Sequence, residues 1–247
     1  MRSSSPRAVE PRGRKKSLGS WLWVIARGFL ADLSFALRVF FGVLAFFALC
    51  YLGLLSFFFW RQDEIFFGTA EKPSGSPEQE GRPSQEVFTA FSQTRMWIYE
   101  GEAEGALVYL CGRSEHLGRM AERIGGLLAI VPRTCVFVEM PGGGFGAGTP
   151  EVSVYLRAAE ESLEYLEAER GIARSNCILW GRDLGACLVV QLVGSGDVEA
   201  IVLEDPFVSL ERLAGRHFPM LPLGLVQRRH YNMEPELKGL RAPALVL

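Results

Sequence analysis

The longest uniform pattern in the chain is an apolar one. From Val39 to Trp60 there are 22 consecutive residues without a charge, dense in Phe and Leu. That length suffices for a helix to cross a hydrocarbon core of about 30 Å. A buried core helix of this length carries a polar face, and this one has none. A cleaved signal peptide has a shorter apolar region ending in small residues, whereas this run ends in Ser-Phe-Phe-Phe-Trp. The pattern predicts a transmembrane helix at 39–60. Trp21 to Arg38, before it, is amphipathic and either lies along the interface or extends the span. Glu71 to Ser84 is rich in Pro, Gly, Ser and Glu, the composition of a linker.

Beyond the linker, short apolar runs alternate with helical periods. Glu86–Phe91 and Arg95–Glu100 read as two antiparallel strands joined by a polar turn. Gly105–Cys111, Thr134–Met140, Asn176–Trp180, Ala200–Leu203 and Ala242–Leu247 read as further strands. Leu117–Ile130, Val152–Glu169, Leu184–Val193 and Val208–Ala214 read as helices. In the second of these helices Tyr155, Leu156, Ala159, Leu163 and Leu166 share one face, and Glu160, Glu161 and Glu164 read as its solvated side. Strands alternating with helices of this length predict an α/β fold with a mostly parallel sheet covered on both faces. The organisation expected is a basic tail and interfacial segment over 1–38, the membrane helix over 39–60, a linker over 61–85 and the α/β domain over 86–247.

Charge sharpens this division. The chain of 247 residues has a net charge of −2, with 26 Lys and Arg against 28 Asp and Glu. Residues 1–38 hold eight of the cations (Arg2, Arg7, Arg12, Arg14, Lys15, Lys16, Arg27, Arg38) against Glu10 and Asp32. The remainder is therefore acidic, which argues against a nucleic-acid partner. By the positive-inside rule the tail lies in the cytoplasm and the domain on the far, lumenal or extracytoplasmic side. Of the five cysteines, Cys50 falls in the apolar run, and Cys111, Cys135, Cys177 and Cys187 fall in or beside core elements. None forms a CxxC pair and no His/Cys cluster has metal-ligand spacing, so they read as small buried hydrophobes, with no metal or other cofactor implied.

One stretch carries candidate chemistry. Between the strand ending at Trp180 and the helix starting at Leu184 lies Gly181-Arg182-Asp183-Leu184-Gly185. Glycines flanking one polar residue in a strand–turn–helix context form a nucleophile elbow, with a serine at its usual centre. The chain resembles the α/β-hydrolase superfamily here, and specifically its single-pass membrane branch, which includes alpha/beta-hydrolase domain-containing protein 13 and the yeast bud-emergence relatives. The resemblance is carried by Glu64-Ile65-Phe66-Phe67 after the anchor, the helix Tyr155 to Tyr165, the elbow Ile178–Ala186, where relatives read Phe-Gly-Arg-Ser-Leu-Gly-Gly, and Glu204-Asp205-Pro206-Phe207. It implies that Asp183 stands at the nucleophile position, as a degenerate version of it. It also implies an oxyanion hole from the backbone N–H of Leu184 and the loop at Gly112. Relatives carry His-Gly-Asn in that loop, and this chain keeps only the glycine in Cys111-Gly112-Arg113-Ser114. The triad acid and histidine are expected after the strand starting near Ala242 and one strand later, beyond Leu247, so the fold is expected to lack its last strand and helix.

Other readings follow from the same residues. Haloalkane dehalogenases and epoxide hydrolases on this fold use an aspartate nucleophile, which needs a histidine; His116, His217 and His230 are those present. The Gly-rich loop from Pro141 to Gly148 matches a relaxed dinucleotide fingerprint, but no acidic residue ends a strand about 20 residues on, and it reads as a loop. The expectation is a membrane-anchored hydrolase-like protein without serine-hydrolase activity, with a lipid or acyl-ester ligand. The alternatives are an active hydrolase known from an incomplete sequence and a non-enzymatic membrane scaffold.

Overall fold

The structure, a computed structural model, describes residues 18–67, 75–78, 82–113, 115–142, 151–194, 197–222, 224 and 231–247. It divides into two compact units, Met1–Leu54 and Leu55–Leu247.

The described part of the first unit is helical. Helix α1, Leu18–Phe67, extends well past the 22 residues expected, and its residues from Leu55 belong to the second unit. No proline interrupts the sequence between Pro11 and Pro73, and Leu, Ala and Phe sustain the helix across Arg27, Asp32 and Arg38. The stretch expected at the interface, Trp21–Arg38, thus continues the same helix. Within α1, the 36 residues Arg27–Gln62 are long and apolar enough to cross a membrane. At 1.5 Å per residue they span about 54 Å, more than the hydrocarbon core needs.

The second unit holds a seven-stranded sheet in the order β1-β2-β4-β3-β5-β6-β7. Strands β1 (Ser84–Phe88) and β2 (Arg95–Tyr99) form an antiparallel hairpin, and β2 pairs antiparallel with β4 (Arg133–Val138). From there β3 (Ala103–Leu110), β5 (Cys177–Arg182), β6 (Ala200–Glu204) and β7 (Ala244–Val246) pair in parallel. The connecting helices are α2 (Ala121–Ile130), α3 (Val152–Arg170), α4 (Leu184–Val193), α5 (Leu210–His217) and the short α6 (Glu234–Leu237), which sequence reading did not anticipate. A single 3₁₀ turn, Leu117–Arg119, takes the first positions of the helix expected from Leu117. Helix α5 starts two residues later than expected because Ser209 caps it, its side chain accepting from the Arg212 N–H. The mostly parallel, doubly covered sheet is the α/β architecture that the patterning predicts.

Alternation along β3 builds both cores. Ala106, Val108 and Leu110 point into a cluster with α3 and α4, including Tyr155, Leu163 and Leu188. Leu107 and Tyr109 point the other way, onto Trp97, Phe137 and α2 residues Ile124 and Leu127. Because both faces are covered, the sheet's functional groups can emerge only at the strand ends.

One expected surface proves to be interior. Glu161 of α3 is 7% exposed, not part of a solvated face. Its carboxylate accepts from the Phe91 N–H at 2.7 Å, the Ser92 N–H at 3.2 Å and the Ser92 hydroxyl at 2.7 Å, tying the β1–β2 turn to the helix. Burial raises its pKa, but the bonds from Ser92, Phe91 and Thr89 outweigh it and hold the carboxyl below its ordinary value. Glu160 instead bonds Arg174 at 2.7 Å, and Glu164 is exposed. The Gly-rich loop's residues from 143 to 150, and His230, lie outside the described residues.

Candidate functional site

At the end of β5 the chain makes a sharp turn. Asp183 adopts φ 54°, ψ −114°, a conformation L residues rarely hold, and α4 begins at the next residue. The two flanking glycines are required by crowding. A Cβ on Gly181 would lie 2.3 Å from the Gly185 carbonyl carbon, and one on Gly185 would lie 2.2 Å from the Leu110 carbonyl oxygen. Helix α4 thus sits against both β5 and the end of β3 with no room for side chains. The Asp183 N–H donates to the Glu204 carbonyl at 2.8 Å, linking the turn to β6.

The Asp183 carboxylate is held from the loop that follows β3. Arg113 Nε donates to Oδ2 at 2.6 Å, Nη2 donates to Oδ1 at 2.9 Å, and the Arg113 backbone N–H also donates to Oδ2 at 3.2 Å. Three donors from one residue therefore occupy both oxygens. The two side chains are 20% and 23% exposed, so the pair is shielded without being buried. The guanidinium also lies 5.4 Å over the Phe207 ring, which fixes its plane. Gly112 is close enough that a Cβ on it would meet Asp183 Cβ at 3.3 Å. Its N–H, however, donates to Glu115 Oε2 at 2.8 Å and so is directed away from Asp183. The loop N–H that reaches Asp183 is that of Arg113. Leu184 is buried at the start of α4.

A second charged layer surrounds this pair at the ends of β3, β5 and β6. Glu115 accepts from the Tyr109 hydroxyl at 3.0 Å and from Arg182 Nη1 at 2.9 Å. Glu204 accepts from Trp180 Nε1 at 3.1 Å and pairs with Arg123. Arg182 also approaches Glu204 at 3.5 Å and Asp205 at 3.6 Å. Burial first, then the neighbouring Cys111 and Glu115, pushes the Tyr109 hydroxyl far above its usual range, so it stays protonated and can donate to Glu115. Hydrogen bonding to Glu115 raises the Arg182 pKa. Cations and anions alternate here with each acid engaged.

Of the histidines proposed as stand-in bases, His116 lies 3.7 Å from Glu139 through Nδ1, and His217 Nδ1 bonds the Leu213 carbonyl in its own helix at 3.0 Å. Among the described residues no hydrogen bond or ion pair joins a histidine to Asp183, and no group of three His, Cys, Asp or Glu side chains has a geometry for a metal ion. Two cavities among the described residues lie away from this pair. One of about 770 Å³ is lined by Ser209, Arg212, Leu221, Tyr231 and Asn232, and one of about 680 Å³ lies between the end of α4 and Gly239–Pro243. Arg113 is the residue whose part sequence reading missed. Its signal was available in the sequence as a cation, Arg113, in the loop after β3 and an anion, Asp183, at the centre of the turn after β5.

No family model matches the chain. Two curated proteins of Mycobacterium tuberculosis, uncharacterized protein MT2364 (strain CDC 1551 / Oshkosh) and uncharacterized protein Rv2307c (strain ATCC 25618 / H37Rv), are each 29% identical over 106 residues. The match covers 43% of this chain and 38% of theirs, so this chain spans under two thirds of their length. Among solved structures, the Pyrococcus furiosus esterase Pf2001 superposes with a TM-score of 0.56 at 16% identity, covering 72% of this chain and 76% of the esterase. A second crystal form of that esterase gives 0.53. The likeness establishes the α/β-hydrolase fold.

Proposed function

We propose that the protein is a membrane-anchored member of the α/β-hydrolase fold that does not run the acyl-transfer cycle, and that uses the fold to hold a lipid or acyl-ester ligand or to act as a scaffold at the membrane. The observation that carries the loss of chemistry is the Arg113–Asp183 pair. A serine nucleophile needs a hydroxyl at this turn, and Asp183 offers none. An aspartate nucleophile needs a reactive carboxylate oxygen aimed at its substrate, and here both oxygens accept charge-assisted hydrogen bonds from Arg113, which withdraw charge from them and hold the group toward the loop. The donor facing the turn from the loop, the Arg113 N–H, is engaged by the same carboxylate. A group that would stabilise a developing oxyanion is thus occupied by a resident anion.

The length and apolarity of Arg27–Gln62 support the anchor. The eight cations of residues 1–38 support a cytoplasmic N-terminus with the domain across the membrane. Protease added outside sealed vesicles should spare the tail until the membrane is permeabilised; cleavage of the tail first would reverse the orientation.

The chemistry is tested with two reactive probes on the full chain. A fluorophosphonate should give no labelling. A chloroalkane should leave the Asp183-containing peptide unmodified by mass spectrometry. Specific fluorophosphonate labelling, or an alkyl ester on Asp183, would overturn the reading.

A further inference from the structure

The segment that follows α5 presents a second apolar contact surface. The last turn of α5 exposes Arg216 and His217, and Arg212 is exposed one turn earlier. The chain then reads Phe218-Pro-Met-Leu-Pro222, with no polar side chain. Two backbone bonds fix this turn: the Phe218 N–H donates to the Ala214 carbonyl at 2.7 Å and the Leu221 N–H to the Phe218 carbonyl at 3.1 Å. The turn holds Leu221 against the core and displays Pro219 and Met220, the latter 83% exposed. A large apolar side chain kept exposed by a bonded turn is a feature of surfaces that meet a partner.

Its neighbour says which partner. The Phe218 ring packs edge-on against Phe58, with centroids 5.4 Å apart. Phe58 belongs to the apolar segment Arg27–Gln62, and it is followed by Trp60, 71% exposed, and exposed Arg61. Tryptophan beside arginine at the end of an apolar helix marks the level of the lipid headgroups. Phe58 lies three residues before Arg61, about 4.5 Å along the helix axis. Phe58 itself is 2% exposed and faces the domain core, so Phe218 meets the helix on its domain side near the level of exposed Trp60, and exposed Met220, two residues on, lies within reach of the same layer.

We infer that the turn Phe218–Pro222 is a second membrane contact, with Pro219 and Met220 entering the interface and Arg212 and Arg216 facing anionic headgroups. This rests on the reading of α1 as a membrane anchor.

The test uses the full chain with Cys50→Ser, reconstituted in vesicles of phosphatidylcholine and phosphatidylserine. An environment-sensitive fluorophore is attached at Met220→Cys, and in a parallel sample at Ile130→Cys, which is 74% exposed at the end of α2. The Met220 site should be several-fold better protected from aqueous iodide than the Ile130 site. It should also be quenched several-fold more strongly by nitroxide on the lipid headgroup. Resistance of the chain to carbonate extraction is measured alongside. Extraction-resistant protein with equal iodide access at both sites would overturn the membrane contact alone. Protein released by carbonate would overturn the anchor, and this inference with it.

Discussion

The Arg113–Asp183 pair can be measured by a double-mutant cycle, and the elbow's backbone makes the outcome specific. Asp183→Ala removes the acceptor of three hydrogen bonds and leaves a guanidinium only 20% exposed without its counter-ion. Charge-assisted bonds of this kind are worth about 2 kcal/mol net when shielded from water. Alanine also keeps a Cβ at φ 54°, so the strain of the turn, about 1 kcal/mol, remains. Asp183→Gly loses the same pair but relieves that strain, so it should be about 1 kcal/mol more stable than Asp183→Ala. Arg113→Ala leaves the carboxylate partly shielded and should cost about 2 kcal/mol by the same reasoning. The double variant Arg113→Ala/Asp183→Ala should fall short of the sum by about 1–2 kcal/mol, the coupling of the pair. The assay is thermal unfolding of the full chain in detergent micelles, followed by near-UV circular dichroism. Each kcal/mol shifts the midpoint by about 2–4 °C in a domain of this size. Acetate, which fits the three donors, should raise the midpoint of Asp183→Gly more than chloride does, and should leave the parent chain unchanged. Strict additivity of the two alanine variants, or an alanine variant at 183 as stable as the glycine one, would refute the clamp or the strain respectively.

Other parts of the structure make independent predictions. Glu161→Gln should destabilise the domain at neutral pH by about 1–3 kcal/mol, because Phe91 and Ser92 lose a charged acceptor. Since the folded pKa of Glu161 lies below its unfolded value near ~4.3, its contribution is complete above that pH and disappears as the pH falls through the folded pKa. Midpoints measured against pH should show that loss in the parent chain and a flatter profile in Glu161→Gln; parallel profiles would refute the assignment. Gly185→Ala, which drives a Cβ to 2.2 Å from the Leu110 carbonyl oxygen, should cost about 3 kcal/mol or prevent folding, as read from expression and unfolding midpoint. Burial pushes the thiols of Cys135 and Cys177 up to about 11 and that of Cys187 up to about 12, so an aromatic disulfide reagent at pH 8 should reach none of them before denaturant is added. Rapid modification of any of these thiols in the native chain would place it outside the core.

The parts of the fold written locally were legible in the sequence. The apolar run ending at Trp180, the glycines on either side of Asp183 and the apolar segment from Leu184 gave β5, the turn and α4, the last with both of its ends. The length of α1 was not legible, because Arg27, Asp32 and Arg38 mark where apolarity stops while helix formation needs only a run without proline or clustered glycine. Glu161 was read as solvated because its position falls beside the apolar stripe of α3. Its burial comes from the β1–β2 turn, 70 residues earlier in the chain, laid across that edge of the helix. Arg113 and Asp183 are likewise 70 residues apart, and only the adjacency of β3 and β5 brings them together.

That distance bears on what the turn now does. The conformation of Asp183 costs free energy whether or not a reaction takes place there, and Gly181 and Gly185 are needed to reach it. In a working hydrolase such strain exposes a nucleophile. Here the raised side chain meets an arginine from the neighbouring loop, so the same backbone now fastens the end of β5 to the loop after β3. Glu115 and Arg182 repeat the connection one layer out, and Arg123 with Glu204 extends it to β6. In an open parallel sheet these strand ends are where loops diverge and a ligand crevice forms. Ion pairs that cross them hold the crevice edges at fixed spacing. The elbow geometry thereby acts as a brace between β5 and the loop after β3, and on the function proposed above a ligand would be recognised by surfaces around that brace.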